Sequence, residues 1–355
     1  MDYIAIANQF DIEGEVISAE PFSNGLINST ILVTTDKTKY ILQVINTTVF
    51  PDTEGLMDNI VRVTNHLRGK IAAQGGDILR QVLTPVAAKN GGWLFENRRM
   101  YRFIDGCVSI EKAENAQQFF ETGRTFGEFQ LMLQDFPAHT LCEVIPDFHN
   151  TPKRVEKFEQ AVEKGISNRV SECENEISAL LSRKDKAGMI MSALADGSLP
   201  LRVTHNDTKL NNVMLDKNTL KGVCVVDLDT VMPGSALFDI GDAIRTGAAL
   251  TAEDDADFDK AGIDVELFKA FADGFSDGMA GTLTENERKL IVRGVWTIVY
   301  EQAVRFLTDY LEGDVYYGIK YEKHNLVRAK NQIALMMDIE RKWDEMESAI
   351  VVEIN

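Results

Sequence analysis

His205-Asn206-Asp207-Thr208-Lys209-Leu210-Asn211-Asn212 is the stretch on which the reading of this chain turns. It follows the apolar run Leu201–Thr204 and leads directly into Val213-Met214-Leu215. Its polar residues stand in the order H-x-D-x-x-x-x-N. Fifteen residues beyond Asn212, a valine-rich run from Gly222 to Val226 leads into Asp227-Leu228-Asp229, which places an acid directly after a strand that reads as buried. Taken singly, each residue has an ordinary explanation. An Asp after a strand commonly serves a turn or a helix cap, and a lone His is commonly a hydrogen-bonded structural residue. The order and spacing of the set argue for chemistry instead.

Phosphoryl transfer calls for these residue types in this order. Asp207 is expected to accept the proton of an acceptor hydroxyl. Asn212 and Asp227 offer oxygen ligands to Mg2+, which bridges the phosphates of ATP. Lys209, two residues after the acid, is placed to neutralise charge on the transferring group. His205 is expected to tie the loop down by hydrogen bonds rather than carry protons. Asp229 falls on the same side of an extended segment as Asp227, where it could hold a substrate hydroxyl or support the metal.

Outward from this stretch the chain changes character once. Upstream, Asp2 to Phe10 reads as a short helix, and Glu15 to Phe22, Asn28 to Thr35 and Lys39 to Ile45 read as strands of an antiparallel meander, with turn chemistry at Ser23-Asn24-Gly25 and Asp36-Lys37. Asp52 or Thr53 caps a helix to about Gln74, with Leu56, Ile60, Val63, Leu67 and Ile71 on one face. Ile78 to Val86, Trp93 to Glu96 and Met100 to Ile104 read as further strands. After Asp105-Gly106 the pattern becomes helical: Ala113 to Gln134, Val155 to Gly165, Arg169 to Leu194, and nearly everything from Ala236 to a long segment near Lys320 to Ser348. The fold class is therefore α+β, with a β-rich lobe over residues 1–104 and a mostly helical lobe over 105–355. The length of 355 residues, about 2.4 times a typical domain, agrees with two lobes.

The phrases FSNGLINST (22–30), YILQVIN (40–46), THNDTKLNNVMLD (204–216), VVDLDTVMPG (225–234), FDIGDAIR (238–245) and RFLTDYLEGDVYY (305–317) resemble the aminoglycoside phosphotransferase and choline kinase superfamily, and within it the N-acetylhexosamine 1-kinases. The resemblance spans nearly the whole chain. It implies a two-lobe protein-kinase-like fold, ATP and Mg2+ as donor and cofactor, and transfer to the anomeric hydroxyl of N-acetylglucosamine or N-acetylgalactosamine. It further implies that Ser23, Asn24, Gly25, Asn28 and Thr30 belong to the loop over the phosphates, although that loop holds one glycine and no G-x-G-x-x-G. Phe103 and Ile104 would meet adenine at the hinge. Gln43 stands where most kinases place a strand lysine, a departure that leaves Lys39 or a helix residue to compensate. Asp239 matches the residue that braces the catalytic loop; helix capping is the plainer reading. Arg305 and Tyr317 match the sugar pocket, against an ion pair of Arg305 with Glu301 and packing of Tyr317 with Tyr316 and Tyr321. Trp343 is a weaker candidate for the rim. Other acceptors on this fold (an aminoglycoside, choline or another amino alcohol, a different sugar) and a non-catalytic nucleotide-binding regulator stay open.

Composition narrows the partners. Lys and Arg number 37 against 55 Asp and Glu, a net charge of −18, which disfavours a nucleic-acid duplex or an anionic membrane. Four cysteines with gaps of 35, 31 and 51 residues, no CxxC and no signal-like N-terminus read as a reduced cytoplasm. No run of 18 apolar residues is present. A monomer or weak homodimer is expected. Ser198-Leu199-Pro200-Leu201-Arg202 fits S-x-P-x-R, the core of a sulfatase modification site. The threonine-glycine continuation and an N-terminal Asp/Asn cluster for Ca2+ are missing, so it reads as a turn. Neither G-x-x-x-x-G-K-[ST] nor H-E-x-x-H occurs.

Overall fold

A computed structural model describes residues 1–24 and 28–350. The chain divides into two compact units. The first comprises Met1–Ser109, Met132–Pro146 and Asn212–Pro233; the second comprises Ile110–Leu131, Asp147–Asn211 and the chain from Gly234 onward.

The first unit opens with α1 (Tyr3–Ala7), capped by Asp2, whose carboxylate accepts the Ala5 N–H at 3.0 Å. β1 (Val16–Asn24), β2 (Ser29–Thr35) and β3 (Lys39–Val44) form the meander. α2 (Thr53–Ala73) follows, capped by Asp52, which accepts the Gly55 N–H at 2.9 Å, and it buries the expected stripe Leu56, Ile60, Val63, Leu67 and Ile71. β4 (Pro85–Val86) and β5 (Arg98–Arg102) complete an antiparallel sheet of order β1-β2-β3-β5-β4. Period-2 alternation sends Ile31, Val33, Tyr40, Leu42 and Met100 to one face, where they pack with Ala7, Phe10, Val86 and Ala88. The opposite face carries Thr30, Gln43 and Arg99, which lie directly across from one another on β2, β3 and β5. β6 (Cys107–Val108) follows the turn at Gly106.

One expected strand is cut short and another is not formed. Of Ile78 to Val86 only Pro85–Val86 pairs, because Asp77 Oδ1 accepts the Leu79 N–H and its carbonyl accepts those of Arg80 and Gln81, winding the chain into turns. In Trp93 to Glu96, Phe95 and Arg98 exchange backbone hydrogen bonds of 2.9 and 3.0 Å around Glu96, whose φ is 56°.

The helical unit runs α3 (Ala116–Met132), α4 (Thr151–Lys164), α5 (Ser167–Glu172), α6 (Glu174–Leu181) and α7 (Met189–Ala195) into β7 (Arg202–Thr204). The expected helix from Arg169 to Leu194 is thus broken, with non-helical backbone at Cys173 and a separate turn at Lys184–Lys186. The chain then rejoins the first unit as β8 (Val213–Asp216) and β9 (Gly222–Val225), which extend β6 into a three-stranded sheet. After β10 (Met232–Gly234) come α8 (Ala236–Gly247), α9 (Val265–Gly278), α10 (Glu285–Lys289), α11 (Ile291–Glu312), α12 (His324–Arg341) and α13 (Trp343–Ala349). α11, 22 residues long and buried along nearly its whole length, is the axis against which α4, α8 and α12 pack. The long segment expected from Lys320 starts only at His324, because Lys323 is left-handed at φ 68°, and it breaks at Lys342, whose ammonium turns back to Asp338 and the Ile263 carbonyl. Among the described residues no helix is long and apolar enough to cross a membrane, and all four cysteines are free.

Candidate active site

In the helical unit the loop after β7 is held by α8. Ser235 is the residue that caps α8, accepting the Leu237 N–H at 3.3 Å, so Asp239 is released from capping. The Asp239 carboxylate is fully buried and accepts three N–H groups: His205 backbone at 3.0 Å, Asn206 backbone at 2.7 Å and Gln130 Nε2 at 2.7 Å. Burial pushes the Asp239 pKa up, and His205 with these donors pulls against it. One turn later Asp242 accepts the Thr208 N–H at 3.0 Å and pairs with Arg245 at 3.2 Å. Burial opposes the Asp242 charge, but Arg245 and Lys209 outweigh it and hold its pKa below the usual carboxylate range. The Thr208 hydroxyl donates to the Asp239 carbonyl at 2.6 Å.

These bonds fix the backbone on both sides of Asp207. Asn206 is forced to φ 64°, a left-handed conformation that Asn tolerates better than most residues. His205 is buried between Phe126 and Phe129, and its Nδ1 accepts the Asp207 N–H at 3.3 Å, so it anchors the loop. The Asp207 carboxylate is partly exposed and lies 2.6 Å from Lys209 Nζ. Burial works against the Lys209 charge, yet Asp207 and Asp242 more than restore it and raise its pKa. A carboxylate is therefore presented with a cation beside it on a rigid loop.

In the first unit, the Val226 N–H donates to the Asn212 carbonyl at 2.9 Å, which sets the backbone leading into Asp227 beside that of Asn212. Asp227 is left-handed at φ 59°, the kind of strain that persists at functional sites. Among the described residues no group of three or more His, Cys, Asp or Glu is poised for a metal. Mg2+ commonly takes only one or two protein oxygens, with phosphates and water completing its octahedron, so the side-chain oxygens of one Asp and one Asn suit it. Asn59 of α2 supports the following segment: its Nδ2 donates to the Val231 carbonyl at 3.0 Å and the Cys142 carbonyl at 2.8 Å, and its Oδ1 accepts the Cys142 N–H at 2.9 Å.

Asp229 is buried. Arg99 Nη1 lies 2.5 Å from its Oδ1, and Asn28 Nδ2 donates to its Oδ2 at 2.7 Å. Asn28 Oδ1 accepts the Asn46 N–H at 3.0 Å. Arg99 also donates to Gln43 Oε1 from Nε at 3.0 Å and Nη2 at 2.8 Å, and Gln43 Nε2 donates to Thr30 Oγ1 at 3.4 Å. Of the expected phosphate-loop residues, Asn28 and Thr30 thus share a network with Gln43; Gly25 and the side chains of Ser23 and Asn24 lie outside the described residues. Phe103 is half-buried, with Phe22 edge-on at 6.0 Å and Lys39 Nζ 5.6 Å from its ring; Ile104 is buried.

Arg305 and Tyr317 line one recess of about 140 Å3 in the helical unit, with Arg154, Lys157, Asp309 and Tyr316. Glu301 does not take Arg305; its carboxylate is buried with His149 Nδ1 at 2.9 Å and Thr151 Oγ1 at 2.7 Å. Arg305 lies over the rings of Phe148 and Tyr317 at 5.2 and 5.7 Å. Tyr317 packs on Tyr316 and Phe306, while Tyr321 packs on His324. Asp309 gives its oxygens to the backbone N–H groups of Val315, Tyr316 and Tyr317 and so sets the loop that carries both tyrosines. Trp343 opens α13 against Arg293 and Glu347, not among the recess residues. Ser198 and Arg202 are structural: the Ser198 hydroxyl donates to the Ala193 carbonyl at 3.2 Å and Arg202 pairs with Glu287 at 2.6 Å.

Arg99, Asn59, Gln130, Asp242 and Arg154 were not singled out in the sequence. Asp242 had a readable signal, since it stands three residues after Asp239 on one helix face. Arg99, Asn59, Gln130 and Arg154 lie far along the chain from the residues they serve, and only the fold brings them in.

The description "phosphotransferase enzyme family" matches residues 18–272. The microcompartment-associated aminopropanol kinase is similar in structure, with TM-score 0.62 and 15% identity over 97% of this chain and 98% of that one. So are a choline kinase from Cryptosporidium parvum Iowa II, with TM-score 0.60, 15% identity and 98% and 97% coverage, and an aminoglycoside phosphotransferase from Alicyclobacillus acidocaldarius, with TM-score 0.61, 12% identity and 96% coverage of each. At these identities the likeness is one of fold, a β-sheet lobe and a helical lobe of protein-kinase-like type. The match over residues 18–272, most of the chain, makes this protein a member of the phosphotransferase enzyme family.

Proposed function

We propose that the chain transfers the γ-phosphoryl group of ATP to the anomeric hydroxyl of N-acetylglucosamine or N-acetylgalactosamine. The choice of acceptor is carried by the charge of the recess. Arg154, Lys157 and Arg305 contribute three cations. Of the facing acids, Glu312 pairs with Lys157 at 3.0 Å and Asp309 is taken up by backbone donors. Two guanidiniums beside two tyrosines repel an ammonium-bearing acceptor and suit a neutral sugar with hydroxyl and carbonyl oxygens. Arg305 also feels the charge of Arg245, which pairs with the Asp242 that holds Thr208.

In this reading the sugar oxygen forms a bond to the γ-phosphorus, the bond from that phosphorus to the β-bridging oxygen breaks, and ADP leaves. Asp207 holds the hydroxyl in line and takes its proton late, because a sugar hydroxyl ionises far above neutrality. Lys209 keeps positive charge beside the acceptor oxygen as the phosphoryl arrives. Asn212 and Asp227 would hold Mg2+, whose contribution when bound is to neutralise charge on the phosphates.

The test is ADP release with ATP and Mg2+ across N-acetylglucosamine, N-acetylgalactosamine, glucose, galactose, choline and kanamycin, with phosphorus NMR of any product. An anomeric phosphate formed from the N-acetyl sugars supports the proposal. Turnover of choline or kanamycin alone overturns the acceptor and keeps the Asp207 chemistry. Nucleotide binding without transfer to any acceptor favours a regulator.

A further inference from the structure

The residue at the strand-lysine position is not simply missing a charge. Gln43 lies between Thr30 and Arg99 in one cross-strand row. Arg99 is only 1% exposed, and a guanidinium is a donor on every nitrogen. Its Nε and Nη2 both point to one atom of Gln43, so that atom must be the amide oxygen. The amide NH2 is therefore turned away from Arg99, and one of its hydrogens reaches Thr30 Oγ1. Gln43 itself is half-buried, whereas the guanidinium behind it is sealed. On its third side Arg99 meets Asp229, two residues beyond Asp227, and Tyr101 covers its face at 5.2 Å. The two acids of α2, Glu54 and Asp58, are exposed, and Asp58 pairs with Arg62 at 3.1 Å. A lysine at position 43 would set an ammonium against a buried guanidinium.

We propose that Arg99 is a positioning residue for the phosphoryl donor: it locks Gln43 with its N–H end toward the nucleotide phosphates and neutralises Asp229, so that cation and counter-charge reside on β5 and the segment after Asp227 in place of a lysine on β3. The proposal rests on the reading of the chain as a nucleotide-dependent phosphotransferase. It needs no particular acceptor.

The experiment is calorimetric titration of the full chain with ADP, with and without Mg2+, beside thermal unfolding and the split of KM for ATP against kcat. Gln43→Glu keeps an oxygen for Arg99 and removes the outward N–H; nucleotide affinity should fall by about tenfold while the melting temperature holds, since hydrogen bonds to charged phosphates are among the strong ones. Gln43→Lys alone should also weaken binding. Gln43→Lys combined with Arg99→Met moves the cation to β3, within reach of Asp229, and should recover affinity to within about threefold of the parent, with KM recovering more than kcat. Tighter binding by Gln43→Lys alone, or unchanged affinity in Gln43→Glu, overturns the proposal, and neither variant depends on Arg99→Met folding. A parent chain that binds no nucleotide overturns the phosphoryl-donor reading, and this inference with it; variant effects on a parent that binds nucleotide bear on Arg99 alone.

Discussion

Asp207 and Asp239 use the same side chain for opposite ends. Asp207 is partly exposed beside Lys209, whereas Asp239 is sealed and accepts three N–H groups. Asp207→Asn should lower kcat by about 10²–10⁴-fold, the usual weight of a positioned acid or base. Its stability should change by less than about 1 kcal/mol, since a half-exposed ion pair contributes little. Steady-state kinetics with thermal unfolding checks both, and normal turnover would sink the assignment. Asp239→Ala should fail in both respects. It strands three buried donors at about 1–3 kcal/mol each, so unfolding in urea should show a loss of about 3 kcal/mol or more, and turnover should fall with the loop. An Asp239→Ala protein as stable as the parent would mean that α8 does not brace the loop.

Among the elements, α3 and α9 pack through glycines rather than side chains. A Cβ on Gly274 would stand 2.1 Å from the Phe120 carbonyl oxygen, and one on Gly127 would stand 2.3 Å from that of Phe275. Helix propensity favours alanine over glycine by about 1 kcal/mol. Overpacking costs about 1–3 kcal/mol, and a backbone carbonyl cannot turn aside as a side chain can. The steric term wins, so Gly274→Ala should lower stability by about 1–2 kcal/mol in chemical denaturation. Gly69 on α2 is the contrasting case, with nothing within 4 Å of its added Cβ. There propensity acts alone, and Gly69→Ala should stabilise by about 0.5–1 kcal/mol. Equal signs for the two substitutions would show that the helix crossing is looser than these distances.

For the whole molecule, the pH dependence of stability follows from carboxylates held below their usual range. Asp216 is lowered by its hydrogen bond from Arg80. In Asp242, Glu301, Asp338 and Glu340 burial works upward, and Arg245, His149, the Ile263 N–H with Lys342, and Arg183 respectively outweigh it. A depressed folded pKa means that the unfolded chain binds protons first as pH falls. The stabilisation is therefore complete above about pH 5 and is lost progressively below about pH 4. Asp239, raised by burial, runs the other way and is outnumbered. Melting temperatures taken from pH 7 down to pH 3 should stay level and then drop. A rise below pH 4 would mean that relief of repulsion within a chain of net charge −18 outweighs the lost pairs.

What the amino-acid order determined by itself was the order and spacing of the polar stretch on which the proposed phosphoryl transfer rests, and the kind of element on which most residues sit. The polar residues of residues 205–229 lie within one short run, so their spacing could be read without a fold. The face of α2 and the alternation in β2 and β3 follow from periods of 3.6 and 2, which are local. Strands that form only through pairing, such as β4, and helices broken by turns, as between Arg169 and Leu194, were less legible because their limits depend on partners distant in the chain. Partnerships were decided by tertiary structure alone. Arg99 meets Asp229 across 130 positions, Gln130 meets Asp239 across 109, and Asn212–Pro233 leaves the helical part of the chain to join the first unit. The physical reason is that a buried charge must find its counter-charge wherever the fold brings one, and sequence distance does not enter that energy.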